Sequence, residues 1–236
     1  MENSKLLSVI IPVFNEKKTI KLIINKVLNI TNIKKQLIIV DDGSTDGTVQ
    51  ILKKMSKLKI DTILFSKKNK GKGHAIKLGQ KHVKGDYVII QDADLEYNPK
   101  DYNKIIKILK KKHNKVVYGS RVLNTKRYRS NNFTSNIRVF ANHILTILSN
   151  IINQQNLTDA HTCYKAFDSK IFKKIKLKEN GFSFCPEITT KISNLNIKIN
   201  EVGISYKGRS FEEGKKISLI DGFDAIKALI KYKFFN

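Results

Sequence analysis

Long apolar runs, acidic residues and cysteines are all scarce in this 236-residue chain, and each scarcity closes off a class of protein. No stretch approaches the roughly 20 consecutive apolar residues that a membrane-spanning helix needs. The two cysteines, Cys163 and Cys185, form neither a Cys-x-x-Cys pair nor a zinc-type spacing, so free thiols in a reducing cytoplasm are expected. The five histidines are scattered and show no nucleophile or metal spacing. No linker rich in Pro or Gly divides the chain and no internal repeat is visible, which predicts one domain over residues 1–236. The opening Met1-Glu2-Asn3-Ser4-Lys5 runs straight into an apolar segment and does not read as a signal peptide.

Basic residues, by contrast, are abundant. Lys and Arg number 45 against 20 Asp and Glu, a net charge of +25. Nucleic acid, an anionic membrane face and phosphorylated substrates all suit such a field. Codon bias in an AT-rich genome would also enrich Lys, Asn and Ile, so charge alone selects none of these. A nucleic-acid module would need basic residues interleaved with aromatics, and only Lys126 to Phe133, KRYRSNNF, has that character. No nucleic-acid partner is expected.

The hydrophobic pattern is that of an α/β protein. Leu6 to Val13 is near-continuously apolar, like a strand buried on both faces of a parallel sheet. Ile20, Ile23, Ile24, Val27 and Leu28 then recur at helical spacing. Strands follow at Leu37–Val40, Ile60–Phe65 and Tyr87–Gln91, separated by helical segments, the third of these ending near Val83. A helix from Pro99 to Lys112 leads to VVYGSR. The alternation predicts a mostly parallel central sheet flanked by helices. Beyond it come a polar loop at Leu123–Asn136, a helix at Ile137–Ile152, a helix near Glu187–Ser193, a strand at Ile197–Val202 and a terminal helix from about Ser218.

Ligands of open parallel sheets bind beyond the carboxyl ends of the strands. Those ends carry Pro12 with Phe14 and Glu16, then Asp41-Asp42, Asp92-Ala93-Asp94 and Ser120-Arg121. Three of the four hold carboxylates in a chain with few. On extended backbone Asp92 and Asp94 point the same way and repel unless a proton or cation intervenes. Such hard oxygen ligands suit Mg²⁺ or Mn²⁺, with Glu96 continuing the alternation. Capping of the helix at Pro99 is the plainer alternative for Asp94 and Glu96. The NKGKGHA loop, Asn69 to Ala75, offers glycines and Lys72 to a phosphate at a helix start, although it lacks the Walker pattern.

In order and spacing, SVIIPVFNE, IIVDDGSTDGT, NKGKGHAIKLG, GDYVIIQDADLEYNP and VVYGSR resemble family-two glycosyltransferases of the GT-A fold, the nucleotide-diphospho-sugar transferase fold. TDAHTCYKAF, GFSFCPEITTKI and INEVGISYKGRSFEEGKKI extend the likeness to enzymes of the dolichyl- or polyprenyl-phosphate mannosyltransferase type. The resemblance implies a donor half at 1–121 and an acceptor half at 122–236. It implies a metal-dependent inverting transfer of a sugar from a GDP- or UDP-linked donor to a polyprenyl phosphate. Pro12, Phe14, Glu16, Asp41, Asp42, Lys72, Asp92, Ala93, Asp94 and Arg209 would bind the donor, with Asp42 at the base or ribose and Asp41 bracing the turn. Asp92, Asp94 and Glu96 would hold Mg²⁺ or Mn²⁺, while Arg121 and Arg138 would serve catalysis and the acceptor phosphate. His161-Thr162-Cys163-Tyr164 departs from the usual Ser-Gly-Phe type of sequence, which leaves the sugar open.

A lipid phosphate is already an anion and needs positioning rather than a base. A hydroxyl acceptor would need one, and Asp159 and Glu187 are the candidates. The chain shows none of the C-terminal membrane spans that some relatives carry. Its last helix gathers Ile217, Ile220, Phe223, Ile226, Leu229 and Ile230 on one face, with Lys227, Lys231 and Lys233 beside them. That face suits either a membrane interface or packing against the sheet. A cytoplasmic enzyme, peripheral on the inner face of the membrane, is the expectation.

Overall fold

The computed structural model describes residues 5–56, 60–123, 133–209 and 219–235, with side chains at 133–138 and 219–221 excepted. Seven strands form one sheet: β1 Leu7–Val13, β2 Lys35–Asp41, β3 Thr62–Phe65, β4 Tyr87–Ile90, β5 Val116–Ser120, β6 Lys165–Asp168 and β7 Ile199–Gly203. Their spatial order is β3-β2-β1-β4-β6-β5-β7. Pairing is parallel throughout except at β6, which runs antiparallel to both β4 and β5.

Periodicity explains the layers. Along β1, Leu7, Val9, Ile11 and Val13 join the core on one face and Ile10 joins the other; Leu37 and Ile39 divide from Ile38 and Val40 in the same way along β2. Apolar side chains on both faces require cover on both. Helices α1 Ile20–Leu28, α2 Thr48–Met55 and α4 Tyr102–Leu109 close the first face. The second is closed by α3 Lys72–Gln80, α6 Ser169–Lys174 and α7 Phe184–Asn194. Two further helices, α5 Phe133–Asn153 and α8 Leu219–Phe234, contact α7 and each other.

The expected helix at Pro99 begins as a 3-10 turn, Pro99–Asp101, and ends three residues early at Leu109. The helix placed at Ile137 starts at Phe133, inside the expected polar loop; residues 124–132 of that loop, with most of KRYRSNNF, lie outside the described residues. The antiparallel β6 falls in TCYKAF, a segment to which periodicity assigned no strand. Among the described residues the terminal helix packs chiefly on α7 and α5. Its inward residues are Ala225, Ala228, Leu229 and Tyr232, while Phe223 and Ile230 face solvent. Ile217 lies outside the described residues, as does the side chain of Ile220.

Candidate active site

The strand ends bring together residues from across the chain. Asp42 is enclosed and accepts from the Lys70 and Gly71 amides at 2.8 and 2.6 Å, with His74 Nδ1 at 2.9 Å from its other oxygen. It therefore pins the NKGKGHA loop against the end of β2. Asp41 braces its own turn, accepting from Gly43 and Ser44. A hollow of about 290 Å³ beyond β2 and β3, lined by Ser44, Val49, Lys53 and Phe65 among others, shares only Asp41 with the expected donor residues. The phosphate-loop candidate is clamped from outside as well. Gly71 has φ +106°, and a Cβ there would meet the Asn180 carbonyl at 2.6 Å, so the backbone approach depends on glycine. That same carbonyl accepts the His74 amide at 3.0 Å.

Beyond β4 the backbone turns at once, and the extended alternation expected for Asp92, Asp94 and Glu96 is not kept. Leu95 has φ +65° and the Glu96 amide donates to Asp94 Oδ1 at 3.1 Å. The three carboxylates consequently take separate partners. Asp92 accepts from Lys72 Nζ, which also lies 2.9 Å from Cys163 Sγ. Glu96 accepts from Tyr206 Oη at 2.8 Å and from the Arg209 amide at 2.7 Å. Asp94 accepts from Arg209 Nη2, whose guanidinium also meets both oxygens of Glu16 at 3.0 and 3.2 Å. Among the described residues, no three His, Cys, Asp or Glu side chains converge on one metal position. The triad expected to form one metal site is thus a row of carboxylates, each bound to a different group.

The field still calls for a cation. Burial, followed by the charges of Asp92 and Glu96, pushes the Asp94 carboxyl up to about 7 against the pull of Arg209. Burial alone would lower Lys72, but Asp92 and nearby thiols turn the net shift upward. Arg209 occupies the place where positive charge is needed. A divalent ion bound by Asp94, with a diphosphate completing its shell, suits these residues, because Mg²⁺ typically uses one or two carboxylates plus substrate phosphates.

Arg121 and Asp159, given separate roles by sequence reasoning, bind each other. Nε and Nη2 of Arg121 donate to the two Asp159 oxygens, both at 2.7 Å, and the guanidinium lies 5.2 Å from the Tyr206 ring. Burial raises Asp159, but the guanidinium more than offsets it and holds the carboxyl below the usual range. Such a carboxylate is a weak base. Glu187 is fully buried and accepts from the Lys178 and Glu179 amides and from Lys191 Nζ. It props the 178–181 loop that clamps Gly71. Pro12 and Ala93 are buried, Phe14 is partly exposed beside Glu16, and the side chain of Arg138 on α5 lies outside the described residues.

Sequence reasoning passed over His74, Cys163, Asn180 and Tyr206. No local signal marked them, since each meets its partner from a remote segment; Tyr206 stands 110 residues from Glu96.

Residues 8–176 match the family described as Glycosyl transferase family 2. The chain is 28% identical to a dolichyl-phosphate beta-glucosyltransferase of Trichomonas vaginalis, over 98% of this chain and 73% of that one. It is 30% identical to the dolichyl-phosphate beta-glucosyltransferase of Saccharomyces cerevisiae, over 95% and 73%. It is 26% identical to the UDP-N-acetylglucosamine–dolichyl-phosphate N-acetylglucosaminyltransferase of Methanococcus voltae, over 97% and 96%. Among solved structures, glucosyl-3-phosphoglycerate synthase of Mycobacterium tuberculosis, in complex with Mn²⁺, UDP and phosphoglyceric acid, superposes with a TM-score of 0.72 at 17% identity, covering 98% of this chain and 80% of that one. At that identity the likeness carries the fold alone, the GT-A arrangement of a sugar-nucleotide transferase. Acidic strand ends, fold and family match converge on one conclusion: the chain is a glycosyltransferase and belongs to glycosyl transferase family 2.

Proposed function

We propose that this enzyme transfers a sugar from a nucleoside-diphosphate donor, UDP- or GDP-linked, to a polyprenyl phosphate, with inversion at the anomeric carbon and with Mg²⁺ or Mn²⁺ bound. The observation that carries the reading is near-full-length similarity to three enzymes whose names specify dolichyl phosphate. The acceptor-side geometry supports it. A lipid phosphate monoester is anionic at neutral pH and attacks without a general base, whereas the two carboxylates available as bases for a hydroxyl acceptor, Asp159 and Glu187, are already occupied.

The protein's part is positioning and charge. Asp42 fixes the loop that presents Lys72 and the start of α3, so that backbone amides and an ammonium lie beside the donor diphosphate. Asp94 and Asp92 keep a negative site next to it, where a bound divalent ion would stabilise the departing nucleoside diphosphate. Arg209, on the segment that crosses Glu96, exchanges its carboxylate partners for phosphate oxygens, a geometry its fork matches. Asp92, Asp94, Arg121 and Arg138 are the residues assigned to the chemistry, with Arg121 set by Asp159. The site belongs on the cytoplasmic face of a membrane, where activated donors and the lipid acceptor meet.

The test is transfer from a panel of nucleotide sugars to a short-chain polyprenyl phosphate with Mn²⁺ or Mg²⁺, a chelator control and Asp94→Ala alongside. Metal-dependent glycosyl-lipid formation that is absent in the variant is expected. Metal-dependent donor hydrolysis with no lipid product would instead place the acceptor among hydroxyl compounds.

A further inference from the structure

Helix α5 is amphipathic in the wrong sense for a surface helix. Thr146, Ser149 and Asn153 point inward and are nearly inaccessible, while Phe140, Ile144, Ile147 and Ile151 point outward, Ile151 with 70% of its surface free. Most of the inward polar groups are paired: Asn153 Nδ2 donates to Ser149 Oγ at 3.3 Å, while Asn153 Oδ1 has no partner among the described residues. Thr146 Oγ1 donates to the Asn142 carbonyl at 2.8 Å, and the Asn153 carbonyl accepts from Ser193 Oγ of α7 at 2.6 Å. The outward apolar row recurs at i, i+4, i+7 and i+11, the spacing of a helix face that is buried against something.

Helix α8 repeats the arrangement. Its inner face, Ala225, Ala228, Leu229 and Tyr232, rests on α7, where Asn194 Nδ2 donates to the Tyr232 carbonyl at 2.9 Å. On the opposite face Phe223, Ile230 and Phe234 are 69%, 43% and 67% exposed. Helices α5 and α8 touch each other and both rest on α7, so their exposed faces belong to neighbouring helices. Eight of the eleven exposed large hydrophobics among the described residues sit on these two helices or at the end of α8. An apolar patch this concentrated marks an interaction surface.

We infer that the outer faces of α5 and α8 together form a docking surface that lies in the headgroup region of an anionic bilayer. This deepens the polyprenyl-phosphate reading and rests on it in part, since a lipid acceptor has to be met at its membrane. Charge argues independently against a second copy as the occupant. Two chains of net charge +25 repel when apposed, whereas anionic lipid is complementary. Lys227 borders the apolar row on α8 with 81% of its side chain exposed and Asp224 4.0 Å away. Its stem can lie along the bilayer surface with the ammonium among the headgroups. The surface also backs onto the acceptor side. Thr146 Oγ1 accepts the Ala160 amide at 3.3 Å, one residue from the Asp159 that orients Arg121.

The experiment is co-sedimentation of the full chain with vesicles of phosphatidylcholine, with and without phosphatidylglycerol, in the absence of donor and acceptor. The wild-type protein is expected to pellet with the phosphatidylglycerol vesicles. Ile147→Glu with Ile230→Glu should weaken that partitioning about a hundredfold, roughly tenfold for each apolar side chain lost from the interface. Leu22→Glu, at an exposed leucine on α1, should leave it unchanged. Unaltered circular dichroism and melting temperature will show that the double variant is folded. Wild-type protein that stays in the supernatant overturns the inference, as does a double variant that pellets like wild type. A concentration-dependent dimer dissolved by the same substitutions, with no vesicle binding, overturns it in favour of self-association. Since neither substrate is present, failure of lipid transfer in the separate activity assay would leave the surface standing and remove only the acceptor.

Discussion

One guanidinium, that of Arg209, joins two strand ends by donating to Glu16 at 3.0 Å and to Asp94 at 3.2 Å. The cation is therefore supplied by the chain itself, from a segment that β7 leads into, and a bound metal would compete with it. Arg209→Ala should lower transfer about 10²-fold, while stability changes by no more than about 1 kcal/mol because the group is partly exposed. Titration with Mn²⁺ followed by melting temperature should give a larger rise in the variant than in wild type. An equal or smaller rise would mean that Arg209 does not stand in the ion's place.

Asp92 and Asp94 are two residues apart yet should respond in opposite ways to loss of charge. Asp92→Asn takes the carboxylate from the largely enclosed Lys72 ammonium and should cost about 3 kcal/mol, part of which returns when Lys72→Met is added. Asp94→Asn relieves crowding among carboxylates, so its melting temperature should equal or exceed that of wild type while transfer falls about 10²–10³-fold. Urea denaturation of the three variants beside the activity assay separates these roles.

Glu187 acts through the 178–181 loop. Glu187→Ala removes the carboxylate that accepts from the Lys178 and Glu179 amides and leaves Lys191 Nζ with the Lys176 carbonyl, and should cost about 3 kcal/mol. With the Asn180 carbonyl no longer fixed against Gly71, KM for the donor should rise several-fold more than kcat falls. A kcat loss with unchanged KM would contradict this loop-positioning role.

His161 gives stability an acid slope. Burial first, and the Lys165 charge second, bring its imidazole down to about 4 despite the opposing pull of Asp159. The folded state thus binds its proton less readily than the unfolded chain, whose histidine titrates near 6.5. The contribution is complete above that value, declines as pH falls, and levels off below about 4. Between pH 7 and pH 5 wild type should lose about 1–2 kcal/mol at this residue, and His161→Gln should flatten that part of a urea-midpoint profile.

Elements whose hydrophobic period is internal to the segment were readable in the sequence. The apolar run of β1 and the helical spacing of α1 need no partner to be recognised, and the acidic strand ends follow from them. Whatever depends on pairing across the chain was not. Asp159 and Arg121 look like two independent functional groups until the fold places them 2.7 Å apart. The Asp92–Glu96 alternation suggests one metal site until Leu95 at φ +65° turns the backbone. The polar inner face of α5 follows no amphipathic rule, because its logic lies in what covers the opposite face.

Strand β5 ends at Ser120, but both of its neighbours, β6 and β7, come later, β6 about 45 residues on. Among the described residues, no earlier strand pairs with it. At roughly 5–20 residues per second of synthesis, β5 leaves the ribosome some seconds ahead of any partner, with its edges open. Strands β1–β4, three of which lead into the acidic ends, can assemble meanwhile, so the carboxylate cluster can form before Arg121 meets Asp159. A ribosome stalled between residues 121 and 164 would display an ordered β1–β4 sheet trailing an unpaired, aggregation-prone strand, and that window is where a chaperone would be needed.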